Sequence, residues 1–177
     1  MNPIEIDGYL TQKKLSNALK QITGPAWLGD EINVPGSRHR WDMAFKVKST
    51  ICVVEYDGDE HYRNTLKIKS DSYKDSIAND NGFLVVRFPY WIQLNNLTIS
   101  HFFNLTGNII QDFPHGFITT KIFPASFCEL GVERFLRQLM EIPNPVKTDV
   151  IKSLEDRSDE HGIEYVLPSS LRYILTS

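Results

Sequence analysis

The sequence predicts an α/β protein with a mixed central sheet, its elements running α-β-β-β-α-β, followed by a mainly helical C-terminal lobe. Three observations predict it. Two runs with period-two alternation flank Ser49-Thr50, the pattern of paired strands. Residues 83–88 are almost all apolar, as in a buried parallel strand. A helix-like stretch ending at Gly82 separates these runs and supplies the crossover that parallel pairing requires.

The paired runs occupy residues 41–57. Trp41, Met43, Phe45 and Val47 alternate with Asp42, Ala44, Lys46 and Lys48; after the turn, Ile51, Val53, Glu55 and Asp57 alternate with Cys52, Val54 and Tyr56. So short a connection predicts an antiparallel hairpin. With Ser49 and Thr50 as the loop, Lys48 faces Ile51 and Asp42 faces Asp57. Directly opposed residues share a face, and Glu55, two positions before Asp57, shares it too. Three carboxylates then gather on one patch of an otherwise apolar sheet. Like charges so placed repel, and a divalent cation with oxygen ligands is the simplest partner.

The same residues resemble a known family. Asp42, then Glu55-Tyr56-Asp57-Gly58, His61, Lys74-Asp75 and the run Gly82-Phe83-Leu84-Val85-Val86-Arg87-Phe88 are similar to the core of PD-(D/E)XK nucleases, in the branch related to very-short-patch-repair endonucleases. The resemblance covers residues 30–90. It implies a restriction-endonuclease-like core, Mg²⁺ (with Mn²⁺ able to substitute) as cofactor and DNA as substrate. Two departures stand out: Trp41 occupies the place of the motif proline, and Asp57 that of the motif lysine.

On this reading the metal ligands are Asp42, Glu55 and Asp57. His61 assists proton transfer, and Lys74, reaching sideways from its helix, replaces the missing lysine. Loss of Asp57 then abolishes cleavage and leaves folding intact. Arg38, His39 and Arg40 lead into Asp42, and Arg63, Lys67 and Lys69 follow His61; these are the expected phosphate contacts. The reading is a DNA endonuclease of restriction, repair-nicking or mobile-element type. Its rivals are a catalytically silent nucleic-acid-binding module with a degenerate core and a plain interaction protein.

The remaining elements follow from pattern and punctuation. Leu15, Ala18, Leu19 and Ile22 form an apolar helical stripe, with Thr11 as N-cap and Gly24-Pro25 as stop. A short strand is expected at residues 31–34. Residues 63–70 read as a basic loop, and Ser70 caps a helix through Asn81 whose apolar stripe is Tyr73 and Ile77. Residues 92–125 give no clear pattern, although Phe102, Phe103, Phe113 and Phe117 imply packing; His101 and His115 have no recognisable partners. Farther on, residues 126–129 read as a capping box for a helix with a stripe of Val132, Phe135, Leu136, Leu139 and Met140. Thr148 caps another helix, residues 163–167 read as a strand and residues 169–176 as a last helical turn.

At 177 residues the chain has room for a substantial core; residues 1–92 are expected to form the nuclease-like core and 93–177 a lobe for specificity or dimerisation. A homodimer would favour double-strand cutting. No apolar run approaches the ~20 residues of a membrane span, the N-terminus lacks a secretory pattern, and Cys52 and Cys128 form no metal-type pair; a cytoplasmic location is expected. The net charge of −3 does not point to a polyanion partner, but local fields outweigh the total. Residues 37–74 carry eight Lys/Arg against six Asp/Glu, three of them the proposed ligands. From Glu141 onward seven acids oppose four bases, so this end is not expected to lie on DNA.

Overall fold

The computed structural model describes residues 2–113 and 124–175. Phe117 and His115 lie outside the described residues. The central sheet has four strands in spatial order β2 (Trp27–Asn33), β3 (Arg40–Val47), β4 (Thr50–Asp57) and β5 (Leu84–Pro89). β3 runs antiparallel to both its neighbours, β2 and β4, and β5 joins β4 in parallel. The fold is therefore mixed α/β, with a mixed four-stranded sheet between helices. A small parallel ladder, β1 (Ile4–Glu5) with β6 (Ile109–Ile110), lies apart from it.

The hairpin register differs from the expected one. Val47 pairs with Thr50 and Lys46 with Ile51, so the turn residues are Lys48 and Ser49, with Lys48 at φ 55°. Two-residue hairpin turns favour positive φ, and Lys48 adopts it here. Asp42 consequently stands across from Glu55, not from Asp57. A shift of two residues preserves which side each strand residue faces.

Both faces of the sheet are covered. α1 (Gln12–Thr23), capped by Thr11 Oγ1 on the Lys14 N–H at 3.3 Å, buries Leu15, Ala18 and Leu19 in the larger core with Met43, Phe45, Cys52, Val54, Val86 and Phe88. α3 (Thr65–Asp80) covers the other face, where Val34, Trp41, Ala44, Val53 and Ala78 form a second core. Each fully buried large apolar side chain contributes about 1.5–3 kcal/mol.

α3 begins earlier than expected, at Thr65, because the Asn64 side chain accepts from the N–H groups of Leu66 and Lys67. The expected basic loop, residues 63–70, is the end of α2, the Asn64 cap and the first turns of α3. The buried face of α3 carries Ile68, Asp71, Lys74 and Ala78, and Tyr73 points outward, 62% exposed. Between β4 and α3 lies the single turn α2 (Glu60–Arg63).

Residues 92–125, unreadable from pattern, contain α4 (Asn96–Phe103), opened by a capping box between Asn95 and Thr98. The C-terminal segment adds α5 (Glu129–Glu141), α6 (Asn144–His161), α7 (Ile163–Val166) and a 3₁₀ turn at Ser169–Leu175. Its apolar residues, among them Phe135, Leu139, Val150, Leu154 and Leu171, join the same core as α1.

Three details correct the sequence reading. α5 starts after Cys128 with no side-chain cap, since the Cys128 N–H donates to the Tyr62 carbonyl at 3.0 Å. α6 starts at Asn144, with a proline in its first turn, where the missing N–H costs nothing. Residues 163–166 are helix, not strand. The expected stripe of α5 packs in the core through Val132, Phe135, Leu136 and Leu139, but Gly131 and Arg134 are buried with it and Met140 is 78% exposed. No helix among the described residues is long and apolar enough to cross a membrane.

Candidate active site

The α3 face of the sheet carries two adjoining polar compartments. Neighbouring strands supply the first. The register of β2 with β3 sets Glu31 across from Asp42, and β4 sets Glu55 beside Arg87. Beyond Met43 the β3–β4 backbone ladder gives way to side-chain bonds. The Asp42 N–H donates to Glu55 Oε1 at 3.1 Å, and Asp42 Oδ2 accepts the Tyr56 N–H at 2.8 Å. Lys74 enters from α3: its Nζ lies 2.5 Å from Glu55 Oε1, donates to the Arg40 carbonyl and sits 4.8 Å from the centroid of the Trp41 ring. Asp42 is half-buried, and Glu55 and Lys74 are 4% and 8% exposed.

Electrostatics leave the two acids of this compartment short of positive charge. Burial pushes the Asp42 carboxyl above its ordinary range; the Tyr56 N–H and Lys74 pull it back, and Glu31 and Asp57 push it further up. Glu55 is raised by burial and then by the Asp42 charge, against the pull of Lys74 and Arg87. One ammonium does not offset two carboxylates removed from water.

The second compartment is dense with paired charge, although Asp57 Oδ2 is buried without a hydrogen bond. Asp57 is fully buried. Its Oδ1 lies 2.7 Å from Arg87 Nη1 and 3.2 Å from His61 Nδ1, and its Oδ2 lies 3.2 Å from Arg134 Nη2. Asp71 Oδ2 is 2.6 Å from His61 Nδ1 and 2.9 Å from Arg134 Nη1. Arg87 also makes a two-pronged pair with Asp75, at 2.7 and 2.8 Å. Two guanidiniums and an imidazole thus meet three carboxylates. Arg87 divides the compartments, with Nη1 4.0 Å from Glu55 Oε2.

Burial raises the Asp71 carboxyl, but the His61 hydrogen bond, the Arg87 charge and the Arg134 hydrogen bond outweigh it and hold the group well below the usual carboxylate range. A carboxyl depressed in the fold stabilises it above the unfolded-chain value of about 3.9, and that contribution is lost as pH falls through the folded value. Acid unfolding followed by circular dichroism should therefore steepen below about pH 4. Asp71→Asn should be less stable at pH 7 and show a flatter acid limb; an unchanged limb would contradict this role.

The two compartments fit a metal ion differently. The His61 nitrogen and one oxygen each of Asp57 and Asp71 lie within 4.8 Å of one another, a metal-sized set. Both acids, however, already bind guanidinium groups, and a dication there would face two buried arginines. That set could hold a metal ion, with the two arginines opposing its charge. Asp42, Glu55 and Asp57 form no comparable set among the described residues. Asp42 and Glu55 are two further carboxylates on this face, and Mg²⁺ commonly takes one or two with water and phosphate oxygens; Glu55 is already paired with Lys74, and Asp42 has no ion pair within 4 Å among the described residues.

The structure therefore brings Asp42, Glu55 and Lys74 together, and it moves Asp57 and His61 into the neighbouring brace. Of the expected phosphate contacts, Arg38 and Arg40 are exposed and His39 is half-buried, its ring 6.2 Å from that of Tyr73. Arg63, Lys67 and Lys69 are exposed on α2 and the first turns of α3, with Arg63 3.1 Å from Asp59. A cleft of 520 Å³ runs beside the outer strand β5, reaching Asp75, Arg87 and Arg134; it borders the brace rather than the Asp42 compartment.

Sequence reading missed Arg134 and the brace role of Asp71. Arg134 lies 63 positions from Asp71 and 73 from His61, and only its place on the inward side of α5 beside Phe135 hinted at it. Asp71 and Lys74 share the buried face of α3 at i, i+3, a spacing legible once that face is known. No protein-family model, curated protein or solved structure matches this chain at a significant level.

Proposed function

We propose that the protein is a divalent-metal-dependent endonuclease that hydrolyses phosphodiester bonds in DNA, with Asp42, Glu55 and Lys74 as its working set. One observation carries the reading: Lys74, from a helix 19 residues away in sequence, places its ammonium 2.5 Å from Glu55 on the strand beside Asp42. Two acids and a lysine at the end of a strand hairpin are what the resemblance to PD-(D/E)XK nucleases implies. The lysine comes from α3 because Asp57, in its usual place, is enclosed by arginines.

Asp42 and Glu55 would hold Mg²⁺ or Mn²⁺. The chemistry such an ion supplies is polarisation of a phosphoryl oxygen and acidification of water. Lys74 fixes the orientation of Glu55 and offers positive charge to a phosphate as negative charge grows on it. Trp41 and the Arg40 carbonyl hold Lys74 in place. Asp57 and His61 act through the scaffold: they brace β4 against α3 and α5 and do not meet the substrate. The exposed bases Arg38, Arg40, Lys67 and Lys69 suit the DNA backbone.

The low exposure of Glu55 and Lys74 also suits the rival reading, a silent module that binds nucleic acid. Incubation of supercoiled plasmid with Mg²⁺ or Mn²⁺ separates the two. The expected result is nicking or cutting by the wild type, none by Asp42→Asn, and a loss of about a hundredfold or more in Lys74→Met. In Asp42→Asn the amide oxygen can still accept the Tyr56 N–H, so folding should persist. Retained cleavage in both variants would refute the assignment, and tight DNA binding without cleavage of any substrate would favour the silent module.

A further inference from the structure

The outward face of α3 carries two large apolar side chains that the core does not use. Leu66 is 77% and Tyr73 62% exposed, and seven residues of helix place them on one face, two turns apart. Tyr73 directly precedes Lys74 in sequence, and its ring lies 6.2 Å from that of His39 at 78°. Three residues after His39, the chain reaches Asp42 through Arg40, whose carbonyl accepts from the Lys74 ammonium. The aromatic pair thus lies beside the residues that hold the working set. Exposed cations are near it in sequence: Arg38 and Arg40 on either side of His39, and Lys67 and Lys69 between Leu66 and Tyr73; Arg63 is paired with Asp59. Residues 63–70 contain three bases and no acid.

Single exposed apolar residues are ordinary. Here a flat ring and a branched aliphatic chain share a face among cations, the combination that takes nucleic acid with unpaired bases: the charges follow the phosphates and the ring stacks a base. An acidic or apolar protein partner does not explain both features. A fully paired duplex offers backbone to the cations but no base face to Tyr73.

Resting on the endonuclease reading, we propose that Tyr73, edged by His39 and with Leu66 two turns away on the same helix face, is a stacking platform for an unpaired nucleobase, so that the preferred substrate is DNA with single-stranded character beside the cleaved phosphate. Tyr73 is a binding residue in this scheme and takes no part in the chemistry.

The test measures binding without turnover, with Ca²⁺ replacing Mg²⁺. A short single strand carrying 2-aminopurine, and its blunt duplex, are titrated with wild type, Tyr73→Ala and Tyr73→Phe. The expected result is tighter binding of the single strand than of the duplex, with 2-aminopurine fluorescence quenched by stacking. Tyr73→Ala should weaken single-strand binding by about tenfold or more and restore the fluorescence, and Tyr73→Phe should behave as wild type. Equal quenching and affinity in Tyr73→Ala, or a preference for the duplex, would overturn the proposal. The two readings fail separately. A protein that stacks bases but cleaves no DNA keeps the platform and loses the nuclease assignment; one that cuts DNA with Tyr73→Ala unimpaired and shows no quenching does the reverse.

Discussion

Asp57→Ala should unfold the protein more readily rather than produce a folded, inactive enzyme. The Asp57 carboxylate is the shared partner of two arginine side chains that are 9% and 7% exposed. Removing it leaves part of two guanidinium charges unmatched in a dry interior. Breaking a buried ionic contact from one side costs about 3–5 kcal/mol, against a total stability of about 5–15 kcal/mol for a typical domain. Urea unfolding should show a large fall in midpoint with the slope little changed. Asp57→Asn, which keeps an acceptor and the shape, should fall between wild type and Asp57→Ala. Stability of Asp57→Ala within about 0.5 kcal/mol of wild type, as for an ordinary surface change, would show that the arginines need no such partner. The sequence reading expected folding to survive this substitution, because it placed Asp57 at an open metal site.

Gly131→Ala should be comparably damaging although it touches no charge. A β-carbon at Gly131 would lie 1.8 Å from the Tyr62 carbonyl oxygen and 2.6 Å from its carbon. These are backbone atoms of α2 and cannot swing aside. α5 would have to retreat, and Arg134, one turn further along, would lose its reach to Asp57 and Asp71. Phe135, packed 4.8 Å from the Trp91 ring by centroid, would move with it. Alanine gains about 1 kcal/mol of helix propensity over glycine, but overpacking a tight contact costs about 1–3 kcal/mol before any loss in the brace. The net prediction is a lower thermal midpoint. A midpoint at or above that of wild type would mean that α5 can shift freely.

The readable parts of the fold were those with strong local signals. The stripe of α1 and its Thr11 cap, the alternation of β3 and β4, and the apolar run of β5 were legible because each reflects one side chain's burial at a fixed period. The register was not: Lys48 adopts positive φ in place of a residue that favours it, so the turn could not be located from composition. The helical stripes of α3 and α5 were right at Ile77, Val132, Phe135, Leu136 and Leu139, which pack on the cores, and wrong at Tyr73 and Met140. Their buried faces carry Asp71, Lys74 and Arg134, charges that pattern reasoning assigns to solvent, and their exposed faces carry Tyr73 and Met140, which it assigns to the core. An ionic network between distant segments reverses the usual sorting, and only the three-dimensional arrangement reveals the pairing. Lys74 was expected a quarter-turn off a Tyr73–Ile77 stripe and reaching sideways; it lies on the buried face itself, where it meets Glu55.

In the proposed nuclease, labour divides on one face of the sheet: Asp42 would serve the chemistry and Asp57 the architecture. The most direct test measures thermal midpoint and plasmid nicking on the same preparations of Asp42→Asn and Asp57→Asn, at a temperature where both are folded. The account predicts a near-native midpoint and no nicking for Asp42→Asn, and a lowered midpoint with nicking retained for Asp57→Asn. A stable but inactive Asp57→Asn beside an Asp42→Asn that still nicks would contradict it.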